Sequence, residues 1–192
     1  MKPLQWIGFG LAVVGVKAVV GSYDILADPM GWLLVLLGVR RLATAVRLPA
    51  ATALGYLGVL AFLCSIPLWW PSTGDRIQHG DPAALWGIGL AELLFSAVLC
   101  HALATLAQRA RSTSGVVWFR ICEAGIVVCT VAPVLYFAAG QSWLKGVGSF
   151  GDTLQLVLLV LCFCYSGKTW AGSPALTPPE DTADGKGTTR NR

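Results

Sequence analysis

Charge is what this chain has least of. Aspartate, glutamate, lysine and arginine make up 12% of its 192 residues, where an average soluble domain carries about 25%. That is too little polar surface to cover a water-soluble body of this size. Histidine is scarcer still, with His79 and His101 the only two, so histidine alone assembles neither a paired haem site nor a three-ligand metal site. The sequence holds no HExxH, no GxSxG and no P-loop, which sets aside the chemistries those motifs carry. No cofactor, metal or catalytic residue is assigned, and an intramembrane enzyme without a recognised motif is the third and last functional reading.

The polar loops also lack cysteine. Cys64, Cys100, Cys122, Cys129, Cys162 and Cys164 all fall inside apolar blocks or at their ends. A disulfide framework or a loop-borne redox centre is therefore not expected, and the thiols read as small packing groups. Cys162 and Cys164, near the end of the last block, are candidates for lipid attachment. The net charge of +4 comes without a basic patch interleaved with aromatics, so nucleic acid is not an expected partner.

What is present is apolar sequence in long blocks. Hydrophobic residues are 55% of the chain, and crossing roughly 30 Å of hydrocarbon takes about 20 of them in a row. Six spans are predicted, over about Leu4–Gly21, Met30–Val46, Pro49–Trp70, Ala83–Leu106, Gly115–Gly140 and Thr153–Ser166, making an all-α membrane helix bundle over residues 1–170. Span two has a short apolar run before Arg40 and Arg41, so a tilted span with snorkelling arginines competes with a re-entrant helix. Pro133 removes a helical donor inside span five and predicts a kink. The tail from Ala171 to Arg192, rich in Pro, Gly, Thr and charge, is expected to be disordered.

Orientation follows from the basic residues. With the N-terminus inside, Lys2, Arg40, Arg41, Arg47, Arg109, Arg111, Lys168, Lys186, Arg190 and Arg192 are cytoplasmic, whereas only Arg76 and Lys145 lie outside. That asymmetry places both termini in the cytoplasm, in a multi-pass protein of the plasma membrane.

Ionisable residues inside spans are costly unless paired or hydrated, which makes them functional candidates. Lys17, Glu92, Arg120 and Glu123 are four such residues. At 1.5 Å per residue Lys17 lies roughly 6 Å below the outer end of span one and Glu92 roughly 12 Å below that of span four. Glu123 lies roughly 12 Å from the inner end of span five, with Arg120 about one turn closer to the cytoplasm. Gly89, Glu92, Ser96 and Cys100 share one helical stripe, and Arg120, Glu123, Val127 and Thr130 share another. Both stripes mix small and polar residues, which suits helix contact rather than lipid. One reading is a proton, ion or small-solute path between spans one, four and five, in which desolvated Glu92 or Glu123 exchanges a proton. The other is structural: Lys17 pairs with Glu92, Arg120 pairs with Glu123 at i,i+3, and the protein is a membrane subunit that packs against itself or a partner. His101 lies on the face of its helix opposite Glu92 and reads as a packed or snorkelling residue. In span one Gly8, Ala12, Gly15 and Val19, and in span three Ala51 and Gly55, form small-residue stripes for close packing.

The segment Tyr23-Asp-Ile-Leu-Ala-Asp-Pro-Met-Gly-Trp-Leu-Leu-Val-Leu-Leu-Gly38 has its own logic. Asp28 suits the N-terminus of span two, where free amides and the helix dipole favour a carboxylate, and Asp24 stands beside it at the outer mouth. The segment resembles an element, D-[IL]-[IL]-P-D-x-x-G-[WY], of small uncharacterised bacterial multipass membrane proteins. Asp24, Asp28, Gly31 and Trp32 match it, whereas Ala27 stands where the pattern has proline. The resemblance covers roughly a tenth of the chain and implies a bacterial inner-membrane bundle with no assigned activity.

Overall fold

The first helix starts where local chemistry dictates. The backbone N–H of Lys2 donates to the side chain of Gln5 at 2.9 Å, one half of a capping box, and Pro3 supplies a preset φ at the first helical position. A computed structural model of the chain describes residues 1–15, 19–20, 23–24, 28–69, 82–139 and 148–174. Among these the chain is helical: α1 (Pro3–Gly15), α2 (Asp28–Ala45), α3 (Ala51–Trp69), α4 (Pro82–Arg109), α5 (Thr113–Ala139) and α6 (Gly148–Tyr165), followed by a 3₁₀ turn over Thr169–Ala171.

Several boundaries differ from expectation; α6, for one, begins at Gly148 where the span is expected from about Thr153. Helix α1 ends at Gly15, and Val19–Val20 pairs antiparallel with Tyr23–Asp24 in the register Val19↔Asp24, Val20↔Tyr23. The helix expected to reach Gly21 gives way because glycine is a weak helix former and β-branched valine suits extended backbone. At the other end, Ala171, the first residue of the tail expected to be disordered, packs with the helices. Ala171 is fully buried, and Trp170 packs against Phe119 and Tyr165 with ring centroids 6.4 and 5.7 Å away. Residues 175–192 of that tail lie outside the described residues.

The helices form a closed ring. Each packs on its neighbours in sequence, and α1 packs on α6 to complete the circuit. Across the ring, Trp32 of α2 meets Phe95 of α4 edge to face, with centroids 5.2 Å apart. Around that pair the core includes Ile7, Val35, Leu54, Leu99, Leu103, Ile126 and Leu158, all fully buried.

Helices α1 and α2 approach most closely. A Cβ on Gly10 would stand 2.6 Å from the carbonyl oxygen of Gly31, and one on Gly38 would stand 2.8 Å from the backbone nitrogen of Ile7. The face that does this is Gly10, not the predicted stripe. Gly8 meets Phe163 of α6, and among the described residues nothing lies within 4 Å of where a Cβ on Gly15 or Gly55 would stand. The α4–α5 connection is tight for a different reason. Arg111 adopts φ 55°, and the Ser112 N–H donates back to the Ala107 carbonyl at 2.9 Å. This is the helix-ending motif that glycine normally serves.

Among the described residues two helical stretches, Trp86–Arg109 and Thr113–Leu135, are long and apolar enough to cross a membrane. Pro3–Gly15, Ala51–Pro67 and Phe150–Tyr165 are shorter apolar stretches.

Candidate functional site

The polar residues fall into two separate groups. The first lies near the start of α2. Asp28 and Trp32 of α2, Val14 of α1, Ala61, Cys64 and Ser65 of α3, and Ile88, Gly89 and Glu92 of α4 line one cavity of about 40 Å³. A cavity needs roughly 10–15 Å³ to hold one water, so this one accommodates a few waters or a small ion. Gly89 and Glu92 reach it because they lie one turn apart on the same face of α4. Glu92 is also anchored from α6: the side-chain amide of Gln155 donates to its Oε1 at 2.9 Å. The fully buried Ser96 hydroxyl donates in turn to the Gln155 Oε1 at 3.0 Å. A polar chain therefore runs from the cavity, through Glu92 and Gln155, to Ser96 one turn further along α4.

Gln155 was not singled out from the sequence. An amide in a leucine-rich helix carries no charge to draw the eye, but it is one of the few polar side chains in its block. Lys17, the expected partner of Glu92, and the side chain of Asp24 lie outside the described residues.

The second group sits on the outer flank of the α4–α5 hairpin. Arg120 Nη1 donates to Glu123 Oε2 at 2.8 Å, an i,i+3 pair within α5. His101 of α4 completes a triad, its Nδ1 2.9 Å from Glu123 Oε1 and 3.0 Å from Arg120 Nη1. Thr105 donates to the His101 carbonyl at 2.9 Å. His101 and Arg120 are about half exposed, at 52% and 43% of the side chain, while Glu123 is at 20%. The carboxylate is thus screened by the two groups that contact it.

This corrects the face expected of α5. Phe119, Cys122 and Ile126 take the core, so Arg120 and Val127 turn outward and Glu123 sits between. Glu123 is absent from the lining of the Glu92 cavity. The pairing of His101 with Glu123 was also missed. Helical periodicity relates His101 only to residues of its own helix, such as Glu92. Because α4 and α5 form a tight hairpin, residues at similar distances from the turn at Ala110–Ser112 meet, and His101 and Glu123 are such residues.

The thiols occupy the junction of α4, α5 and α6. The Cys100 and Cys122 side chains contact each other, and the Cys122 thiol points to the Leu154 carbonyl at 3.7 Å. No group of three or more metal-ligating side chains occurs among the described residues. Cys162 is fully buried, which leaves no room for an attached lipid, whereas Cys164 is exposed. The core face of α6 selects Leu158, Leu161 and Cys162, and Cys164 falls on the opposite side.

No family model matches the chain, and neither a curated protein nor a solved structure does.

Proposed function

We propose that the chain is a multi-pass protein of a bacterial plasma membrane, crossing six times with both termini in the cytoplasm. In this reading the Asp28–Glu92 cavity binds a small cation or polar solute in the outer half of the bundle. Three observations support the membrane reading. Helices α4 and α5 have the length and apolarity to span. Leu33, Leu37, Leu60, Leu63, Val128 and Leu156 project outward from four helices, each at least 42% exposed. Soluble monomers rarely expose apolar surface on that scale. The basic residues then cluster at one end of the ring, as inward-facing loops do.

The solute-binding reading rests on one observation: two carboxylates from different helices line the same water-sized cavity in an otherwise apolar core. A carboxylate at such depth is retained where it exchanges a proton or contacts a cation. The Gln155–Ser96 chain extends that polarity inward and would serve as the start of a path for proton- or ion-linked transport.

The alternative, a structural or partner-binding subunit, draws on Glu123. It is held by Arg120 and His101, so the inner-half charges neutralise one another and join no path to Glu92. The experiment that separates the two uses the full chain in liposomes loaded with a pH-sensitive dye. Proton movement in response to an imposed cation gradient, abolished by Glu92→Gln and retained by Glu123→Gln, is the expected result. Equal traces from wild type, Glu92→Gln and empty liposomes would leave the structural reading standing. A cytoplasm-active reporter should work when fused after Arg192 and be silent near Gly80; the reverse pattern would overturn the orientation.

A further inference from the structure

The outer surface of the α2–α3 hairpin carries a groove that takes no part in either polar group. Its volume is about 480 Å³, more than ten times the roughly 30 Å³ that one water occupies in the liquid. Its lining includes Leu36 of α2 and Gly55, Tyr56 and Val59 of α3. Among the described residues nothing lies within 4 Å of the place a Gly55 Cβ would occupy, so the groove is open there to an occupant.

The groove has a direction. Arg40 and Thr52 lie towards the end where α2 passes into α3, while Leu36 and Val59 lie further along the helices. One end is therefore cationic with a hydroxyl, and the rest is apolar apart from the Tyr56 phenol. Arg40 is exposed, and no carboxylate pairs with it among the described residues. The same end of the ring carries Lys2, Arg41, Arg47, Arg109, Arg111 and Lys168. No aspartate or glutamate occurs in segments 1–3, 40–50, 106–115 or 165–174. Among the described residues at this end the charge is of one sign.

We propose that this groove seats an acyl chain of an anionic phospholipid from the cytoplasmic leaflet, with the phosphate held by Arg40 and Thr52. An apolar slot ending in an unpaired guanidinium matches the layout of a phospholipid, and arginine matches the geometry of phosphate. The one-sign field favours an anionic headgroup over a zwitterionic one. A second copy of the chain fits less well. Rotational symmetry about the membrane normal would bring two Arg40 side chains to the same depth, facing each other across the contact.

The inference rests on the membrane reading, and the experiment separates the two. The full chain is purified in mild detergent and examined by native mass spectrometry with phosphatidylglycerol or phosphatidylcholine at equal concentration. Phosphatidylglycerol is expected to be retained in preference. Arg40→Gln should lower its occupancy about fivefold, the worth of one basic residue at the membrane surface, and lower that of phosphatidylcholine less, because choline offsets the phosphate charge. Gly55→Leu, which fills the groove at that point, should abolish retention of both, with circular dichroism checking the fold. Equal retention of the two lipids, or wild-type retention in Arg40→Gln, would overturn the proposal whatever Gly55→Leu does. Loss of a dimer in Gly55→Leu would assign the groove to contact between copies instead. A chain that stays in solution without detergent would overturn the membrane reading itself; a detergent-dependent chain that binds neither lipid would overturn only this inference.

Discussion

The α1–α2 and α4–α5 pairs are both antiparallel, but they hold together by different means. Between α1 and α2 the backbones themselves meet. Gly10, Gly31 and Gly38 remove the side chains that would keep them apart, and Val14, Val35 and Ile7 fill the space beside them. Between α4 and α5 side chains do the work: the Cys100–Cys122 contact inside and the His101–Glu123–Arg120 triad outside. A backbone-to-backbone contact has no part that can swing aside, so it is intolerant of volume. A side-chain contact can readjust to volume, but it depends on charge and hydrogen bonding.

The comparison breaks if both pairs respond alike to the same insult. Gly10→Leu should have the largest effect. The new side chain would meet the Gly31 carbonyl and the Val35 backbone, neither of which can rotate away, and detergent-solubilised folded protein should be lost. Gly10→Ala should cost about 1–3 kcal/mol, in the range of overpacked cores. Gly15→Ala, on the same helix but with open space around it, should be neutral or stabilising by about 0.5–1 kcal/mol. Thermal unfolding followed by size-exclusion chromatography would read all three. If Gly10→Leu and Gly15→Ala unfold at the same temperature, backbone contact is not what joins α1 to α2.

Glu123→Ala comes next. It removes the acceptor shared by Arg120 and His101, and a loss of about 1–2 kcal/mol is expected. That lies toward the low end for hydrogen bonds to charged groups, because both partners are about half exposed. Glu123→Gln, which keeps the shape and one acceptor, should recover part of that loss. If Glu123→Ala unfolds like wild type, the triad contributes nothing to the hairpin.

The smallest effect should be a gain. Arg111 sits at φ 55°, where a residue with a Cβ is disfavoured by roughly 1–2 kcal/mol. Arg111→Gly should raise stability by about 1 kcal/mol, read as a higher unfolding temperature. An unchanged or lower temperature would mean that the guanidinium contributes as much as the turn costs.

The helices themselves were legible because their signals are local. Apolar blocks, Asp28-Pro29 and Arg109 to Ser112 mark ends that the structure places within a few residues of expectation. The pairing of Arg120 with Glu123 was also visible, since i,i+3 spacing needs no tertiary knowledge. What could not be read depends on which face each helix turns inward. Span one presents several small residues, and periodicity alone does not say whether Gly10 or Gly15 meets a partner. The α5 stripe of Arg120, Glu123 and Val127 looks suited to contact until Phe119, Cys122 and Ile126 are seen to occupy the core instead. Gln155 escaped notice because an amide's importance comes from what it touches, and its contacts with Glu92 and Ser96 span 63 and 59 residues of sequence.

The contact that closes the ring has a consequence for how the protein is made. Gly8 meets Phe163, and Gly172, at φ 80°, packs against Pro3 and Ala45. The first helix therefore finds its second neighbour only after α6 has left the ribosome. Until then α1 is joined to α2 alone, through the glycine contact, and its other flank stays uncovered. A chain released before Tyr165 would form a crescent with two raw edges. Such a crescent is a natural substrate for quality-control proteases, so α6 decides not only the shape of the ring but whether the five helices before it survive.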